Sequence, residues 1–499
     1  MKSLTLLSSL LMAVIANAQP HTCWGPSHEA QMQARLQHNL TNLDADAATY
    51  RDIRFVPIKF HMVADGQGNG AVAITDILDQ LCRLNQDFLA HDIQFFLKDG
   101  INFISEEALY TYGEYPNEAG DAIMLAEQDD NAINVFIVNE VGQTFSIPST
   151  YFPTEDWILI NKDFVHGDGL LLPHEVGHFF SLLHTFTGWP APYDESVYGL
   201  QAPSMAANGT PTELADQSNC EIAGDFICDT PPDYWFTEPF VNCRYVGEVT
   251  DPNGAPVDPD EQLIMSYYFD CPRDGYHFSP IQGQVMNADL ETPERAYLQA
   301  SPIGNMAAIS GVPELLTPLN GETLPGTMVE FSWTAVENAE AYLLEVSRSP
   351  NFSVDYVGLV IYGTSLLANH LIPDAKYYWR VRPYNSYQVC QSPGNPASFE
   401  TGVELAQANL IGPDFWSVYP NPIASGQSLH LSIFDRTPFR GNVKLLNTAG
   451  QVLHRQVLIH HGRDQQFRLP LPHLAAGIYW ITLQTLEGAS VQKIVISDN

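Results

Sequence analysis

Leu172-Pro173-His174-Glu175-Val176-Gly177-His178-Phe179-Phe180-Ser181-Leu182-Leu183-His184 sets three histidines at a spacing that constrains local structure and chemistry together. His174 and His178 are four apart, so on a helix their imidazoles lie one turn apart on the same face, within reach of one metal ion. Glu175 follows the first histidine and would stand beside that ion, where a carboxylate can act on a bound water. His184 is the third candidate ligand. On a continuous helix it would lie about 15 Å along the axis from His174 and about 80° round from it, too far to share the ion. The pattern therefore predicts a helix that ends soon after His178 and a chain that turns back to bring in His184. His-Glu-x-x-His alone arises by chance on amphipathic helices, where satisfied core histidines are the plain reading. The third histidine shifts the balance to a zinc site.

The rest of the chain fits an exported, multidomain protein. Its 499 residues are too many for one ordinary core, and 45% hydrophobic content supports globular packing. A formal charge of -36 argues against nucleic-acid binding, because a phosphate backbone would be repelled. Residues 1–18 read as a secretory signal peptide: Lys2, an apolar run from Leu4 to Ile15, and Ala16-Asn17-Ala18 as the cleavage pattern. No other run is apolar over the roughly twenty residues a membrane span needs, so no transmembrane anchor is expected in the mature chain. Export permits disulfides. Cys220, Cys228, Cys243 and Cys271 cluster after the histidine motif and allow three pairings, while Cys23, Cys82 and Cys390 are isolated in sequence.

Residues 19–50 read as a short pro-segment with a helix from His28 to Leu40. Within it Cys23 has two readings, a thiolate that caps the zinc before maturation or an ordinary cysteine; Asp44 or Asp46 could block the zinc instead. Arg54 to Val63 reads as a strand in which His61 is a strand histidine rather than a ligand. Ile74 to Leu89 carries a helical apolar stripe, Ile74, Ile77, Leu78, Leu81, Leu84 and Phe88. Ile93 to Leu97, Ala132 to Val138 and Trp157 to Ile160 read as further strands, which gives a mixed α/β lobe before the histidine helix. His166 falls in a loop. After His184 regular structure should be sparse to about residue 262, apart from a short helix near Glu213. Asp225, Asp229 and Thr230 in Gly224-Asp225-Phe226-Ile227-Cys228-Asp229-Thr230-Pro231 offer oxygen ligands to a hard cation, or form a turn held by a disulfide.

At Leu263-Ile264-Met265-Ser266-Tyr267 the pieces combine, and the chain resembles the metzincin zinc peptidases, within them the pappalysin family and its bacterial cytophagalysin branch. The matching residues are His174-Glu175-Val176-Gly177-His178 with His184-Thr185-Phe186, Gly224-Asp225 with Asp229-Thr230-Pro231, Met265, and Cys271 followed by Phe278-Ser279-Pro280-Ile281-Gln282. The resemblance implies an α/β catalytic domain over residues 51–300, with an active-site helix and a Met-turn at Met265 beneath the ligands. It implies zinc on His174, His178 and His184, Glu175 as the residue that activates water, and Tyr267 steadying the tetrahedral intermediate. It also implies calcium at Asp225 and Thr230. Relatives with aspartate five residues after the methionine cleave before arginine or lysine, and Asp270 holds that position; a carboxylate there would pair a guanidinium bidentately. Cys271 comes one residue early, so an outward Asp270, with Tyr268 and Phe269 leaving an apolar pocket, is the alternative. Two residues depart from the family: Ser181 where glycine is usual at the helix end, which strains serine if φ is positive, and Leu263 where asparagine is common.

Residues 312–403 read as an all-β sandwich that resembles a fibronectin type III domain, from strands at Val329–Trp333, Ala341–Val346, Tyr377–Pro383 and Ala397–Thr401. Asn351 to Ile372 fits that pattern poorly. Residues 417–499 form a second all-β unit. It resembles the C-terminal sorting domain of cargo for the type IX secretion system of Bacteroidota, which would make that machinery a partner and the cell surface or medium, reached through the periplasm, the destination. The functional expectation is a secreted zinc endopeptidase acting on proteins or peptides. The competing expectation is a catalytically impaired surface or adhesion protein that keeps the fold, motivated by Ser181 and Leu263.

Overall fold

A computed structural model of the protein describes residues 26–43, 53–113, 117–141, 146–147, 156–165, 169–268, 271–299, 306–324, 327–368, 371–402, 416–433, 438–447, 451–461, 465–485 and 488–497. The signal peptide, Cys23, Asp44, Asp46, His166, Phe269 and Asp270 lie outside them. The chain divides into two compact units. One comprises Met1–His61, Gln80–Lys98 and Thr111–Pro302, the other Met62–Asp79, Asp99–Tyr110 and Ile303–Asn499.

The first unit is built on a sheet in the order β2-β1-β4-β6-β5, from β1 (Arg54–Ala64), β2 (Ile93–Leu97), β4 (Ile133–Val138), β5 (Ser146–Ile147) and β6 (Trp157–Asn161); β3 (Asn102–Ser105) pairs with β1 off this path. β1 runs parallel to β2, and β4 parallel to β6, while β5 is antiparallel to β6. All six residues of β4 are buried, as expected of a strand covered on both faces. Asn134, the polar interruption of its apolar run, is satisfied there by protein groups. Its Oδ1 lies 3.0 Å from His61 Nε2 on β1 and accepts the Asp129 amide, and its Nδ2 donates to Asp129 and Ala132 carbonyls. His61 stacks on Phe136 with ring centroids 4.1 Å apart, the strand role expected of it.

Four helices matter to the site: α1 (Pro26–Thr41), α2 (Ile74–Phe88), α4 (Leu171–Phe179) and α5 (Pro280–Leu290), with α3 (Glu118–Glu127) between. The apolar stripe of α2 is buried as read, Ile77 through Phe88. At its end Phe88 packs edge-on against Phe95 of β2 and against Phe278. The Phe278-Ser279-Pro280-Ile281-Gln282 signature is a helix start. Ser279 and Gln282 exchange a capping box, with Pro280 in the first turn where its missing N–H loses nothing. From Cys220 to Tyr267 the chain has no α-helix or extended strand; the short helix expected near Glu213 is absent, and the nearest helical turns are Glu195–Tyr198 and Cys220–Ile222. Two disulfides, Cys220–Cys228 and Cys243–Cys271, tie this segment and settle which of the three pairings is used.

The second unit holds two sandwiches. In the first, one sheet is ordered β11 (Val357–Ile361), β10 (Ala341–Ser347), β13 (Lys376–Tyr384), β14 (Ala397–Glu400), β8 (Glu322–Thr323), and the other β12 (Ser365–Ala368), β9 (Val329–Trp333), β7 (Leu315–Thr317). They enclose Phe331, Trp333, Tyr342, Leu344, Trp379 and Phe399. The irregular stretch Asn351 to Ile372 supplies two of these strands, β11 and β12. In the second, one sheet is ordered β15 (Trp416–Tyr419), β17 (Ser428–Ile433), β20 (Gln465–Pro470), and the other β16 (Ile423–Ala424), β22 (Gly488–Ser497), β21 (Gly477–Thr485), β18 (Pro438–Leu446), β19 (Val452–His461). They enclose Trp416, Leu429, Leu431, Val443, Leu445, Ile481 and Ile494. Among the described residues, no helix is long and apolar enough to cross a membrane.

Candidate metal centre

α4 ends where the histidine spacing requires. Leu182 N–H donates to the Gly177 carbonyl (3.0 Å), and Ser181 N–H to the His178 carbonyl (2.8 Å). This is the Schellman arrangement, whose residue beyond the cap takes the left-handed conformation. That residue is Ser181, with φ 71°, so serine stands where glycine is unstrained, at a cost of about 1 kcal/mol. The turn then brings His184 back to the helix. Its Nε2 lies 3.2 Å from that of His174 and 3.1 Å from that of His178.

The orientation of two imidazoles is fixed by carbonyls, which only accept. His174 Nδ1 donates to the Ile264 carbonyl at 2.7 Å, and His178 Nδ1 to the Leu182 carbonyl at 2.8 Å. Each ring therefore carries its proton on Nδ1 and turns the Nε2 lone pair toward the other two histidines. Burial depresses the pKa of all three below the ordinary histidine value, His174 to about 4, with the neighbouring rings pushing His178 and His184 further. They are neutral ligands at pH 7. Tetrahedral zinc at its usual bond length sets ligand nitrogens about 3.3 Å apart, so the trio fits that ion. Among the described residues, these are the group of histidine, cysteine or carboxylate side chains that could hold a metal. Glu175 is buried on the same helix.

Met265 lies directly beneath this helix. A Cβ on Gly177 would come within 2.4 Å of the Met265 sulfur and 3.2 Å of Phe278, so only glycine permits the approach. The Met265 carbonyl accepts the Thr185 amide (3.2 Å), tying the third ligand's neighbour to the turn. Leu263 is buried and its backbone bridges His277, which steadies Ile264 as the acceptor for His174. Tyr267 is half-buried, its ring 4.8 Å from that of His184 and 5.5 Å from that of His174. Tyr268, expected beside a substrate pocket, is buried instead, and its hydroxyl donates to Asp233 (2.8 Å).

Asp233 was not legible in the sequence, since it belongs to no spaced motif. One oxygen accepts the hydroxyls of Thr185 (2.8 Å) and Ser266 (2.7 Å), the other the Tyr268 hydroxyl and the Trp235 amide. A single buried carboxylate thus joins the residue after His184 to the residues after Met265. Phe186, stacked on His184 with centroids 4.6 Å apart, and Trp235 against Phe186 complete this wall.

The Gly224–Pro231 loop divides its oxygens between two tasks. Asp229 accepts Ser279 Oγ (2.6 Å) and Ile281 N–H (2.8 Å), so it anchors the start of α5 and is removed from the cation candidates. Asp225 Oδ1 accepts Thr230 Oγ1 (2.9 Å) and the Ile227 amide, while its Oδ2 is buried without a partner, as is Glu213 Oε1. Burial, helped by the charges of Asp229 and Asp233, raises Asp225 to about 8, and burial, helped by Asp225 and Asp233, raises Glu213 to about 10. Carboxylate oxygens are the donor type a hard cation takes.

Comparison with known proteins gives two findings. Residues 417–497 match the family described as "Secretion system C-terminal sorting domain". Part of the chain also resembles fungal proteins named extracellular metalloproteases. One from Colletotrichum graminicola is 30% identical over 175 residues, covering 31% of this chain and 60% of the relative. Another, from Neurospora crassa, is 26% identical over 226 residues, covering 40% and 77%. The chain thus spans 60% of the length of the first of these relatives. Among solved structures, a two-domain fibronectin type-III segment from chicken tenascin is 16% identical over 38% of this chain and 98% of its own, with a TM-score of 0.14, too low to carry an argument.

Proposed function

We propose that this chain is an exported zinc endopeptidase of the metzincin type, akin to the pappalysins. The observation that carries the reading is the convergence of three neutral Nε2 lone pairs, two of them aimed by Nδ1–carbonyl bonds, beside a buried glutamate. Zinc, when bound, would lower the pKa of a water and polarise the scissile carbonyl. Glu175 takes the proton from that water on its carboxylate and returns it to the leaving amine. Tyr267, whose ring lies beside those of His184 and His174, donates its hydroxyl in this reading to the oxygen that becomes negative as the carbonyl is attacked. The names of the fungal relatives support a metalloprotease, and the C-terminal sorting domain supports export by the type IX route. The departures at Ser181 and Leu263 leave every ligand in place, so they lend the non-catalytic reading no support.

The test is hydrolysis of an unstructured protein by purified mature chain and by its Glu175→Ala variant, with zinc content measured on both. The variant should keep one zinc and lose at least about a hundredfold in rate. Equal hydrolysis by the two would remove Glu175 from the reaction.

Substrate choice rests on Asp270, which the sequence resemblance places at the floor of the pocket for the residue after the scissile bond. We expect new N-termini in a digested proteome to begin chiefly with arginine, less often lysine, and Asp270→Ala to weaken that preference more than turnover. Termini dominated by leucine, phenylalanine or alanine in both proteins would release Asp270 from this role.

A further inference from the structure

Helix α1 lies within the segment that reads as a removable pro-segment, yet it reaches the turn that positions the third zinc ligand. Ser181, the left-handed residue of that turn, is fully buried. Its Oγ accepts a hydrogen bond of 2.8 Å from Nδ2 of Asn39, on α1. The same amide donates to Asp289 Oδ1 of α5 at 2.9 Å. One turn earlier on α1, Arg35 donates to Asp289 through Nε and Nη2. Asp289 also takes Arg295 Nε at 3.2 Å, and Arg295 donates to the Phe179 carbonyl, in the last turn of α4, and lies 3.6 Å over the Phe179 ring. Arg35, Asn39, Asp289 and Arg295 are all buried, so this is an interior network and not a surface latch.

We propose that α1 stays with the active enzyme as a buttress of the ligand turn, and that Asn39 is a positioning residue acting through Ser181 on His184. The inference deepens the zinc-peptidase reading and rests on it for the identity of the metal. The physical reason is that serine in a left-handed conformation needs an external tie that glycine would not. Asn39 supplies that tie, and the Arg35–Asp289 pair sets Asn39 at the right height. Loss of α1 would take from a buried carboxylate its bidentate partner and leave it to Arg295 alone. Any cleavage that removes the residues before α1, or cuts between α1 and β1, would therefore leave the helix docked.

A four-protein cycle on the full secreted chain tests this: wild type, Asn39→Ala, Ser181→Gly and the double variant, each read by zinc dissociation constant in chelator competition. Asn39→Ala should weaken zinc about five- to tenfold in the wild-type background and less than twofold beside Ser181→Gly, because glycine no longer needs the tie. Equal losses in both backgrounds, or no loss in either, would overturn the positioning role. Asn39→Leu, which fills the same volume without donating, replaces the alanine variant if that does not fold. Intact mass of the active species should include residues 26–43, in one chain or as a bound fragment; an active species without them overturns the buttress. If the wild type takes up no zinc, the peptidase reading falls separately. The same four proteins then decide the buttress by Tm, where additive shifts would contradict it.

Discussion

His174 and His178 are held ready for a metal by two backbone carbonyls, and a third buried histidine shows what the same burial does without a ligand role. His61 sits between β1 and β4, its pKa lowered to about 4 chiefly by desolvation, against the raising effect of its Asn134 contact. In the unfolded chain it titrates near 6.5. Below that pH the unfolded state takes a proton that the folded state refuses, so this contribution to stability is complete above 6.5 and is lost as pH falls toward 4. From pH 7.5 to 4.5 the loss amounts to about 2.5 kcal/mol. Chemical denaturation of wild type and His61→Gln across that range should show the wild type losing about that much more than the variant. Parallel curves would mean that His61 is not excluded from protonation.

At the scale of elements, the ends of helices decide the site. α4 carries His174 and His178 and ends in a left-handed serine, α5 is anchored by Asp229, and Asp225 in the loop between Cys220 and Pro231 turns its Oδ1 inward to Thr230. Asp225 and Glu213 are acids that burial keeps chiefly protonated at neutral pH, and a bound cation would displace those protons and pair with both carboxylates. With zinc present throughout, adding calcium to calcium-free protein should raise Tm by several degrees, and Asp225→Asn should abolish the rise. A Tm indifferent to calcium would leave the loop as a turn stapled by Cys220–Cys228. The histidine helix, the stripe of α2, the strands of the α/β lobe and the main strands of the first sandwich were legible, because period and spacing encode them locally. Asp233, Asn39 and Arg295 were not. Their partners lie up to 250 residues away or in loops without period, and no spacing rule connects Asn39 to Ser181 or Arg35 to Asp289. β11 and β12 were missed for a related reason. Val357 to Ala368 is partly exposed and broken by Gly358 and Gly363, so its strand pattern is weak until a neighbouring sheet pairs with it.

Over the whole molecule, the chain separates tasks along its length. The first unit carries the metal-ready histidines, and the second carries two sandwiches, the last of which, residues 417–497, matches a secretion sorting domain. A net charge of -36 disfavours a partner with a phosphate backbone. The claim on which the account stands is that hydrolysis depends on one zinc held by His174, His178 and His184. It is met most directly by stripping the mature chain with a chelator and following hydrolysis of an unstructured protein as zinc is returned. Activity should vanish on stripping and recover to a plateau at one zinc per chain. Undiminished cleavage by the stripped protein, or none at one bound zinc, would contradict it.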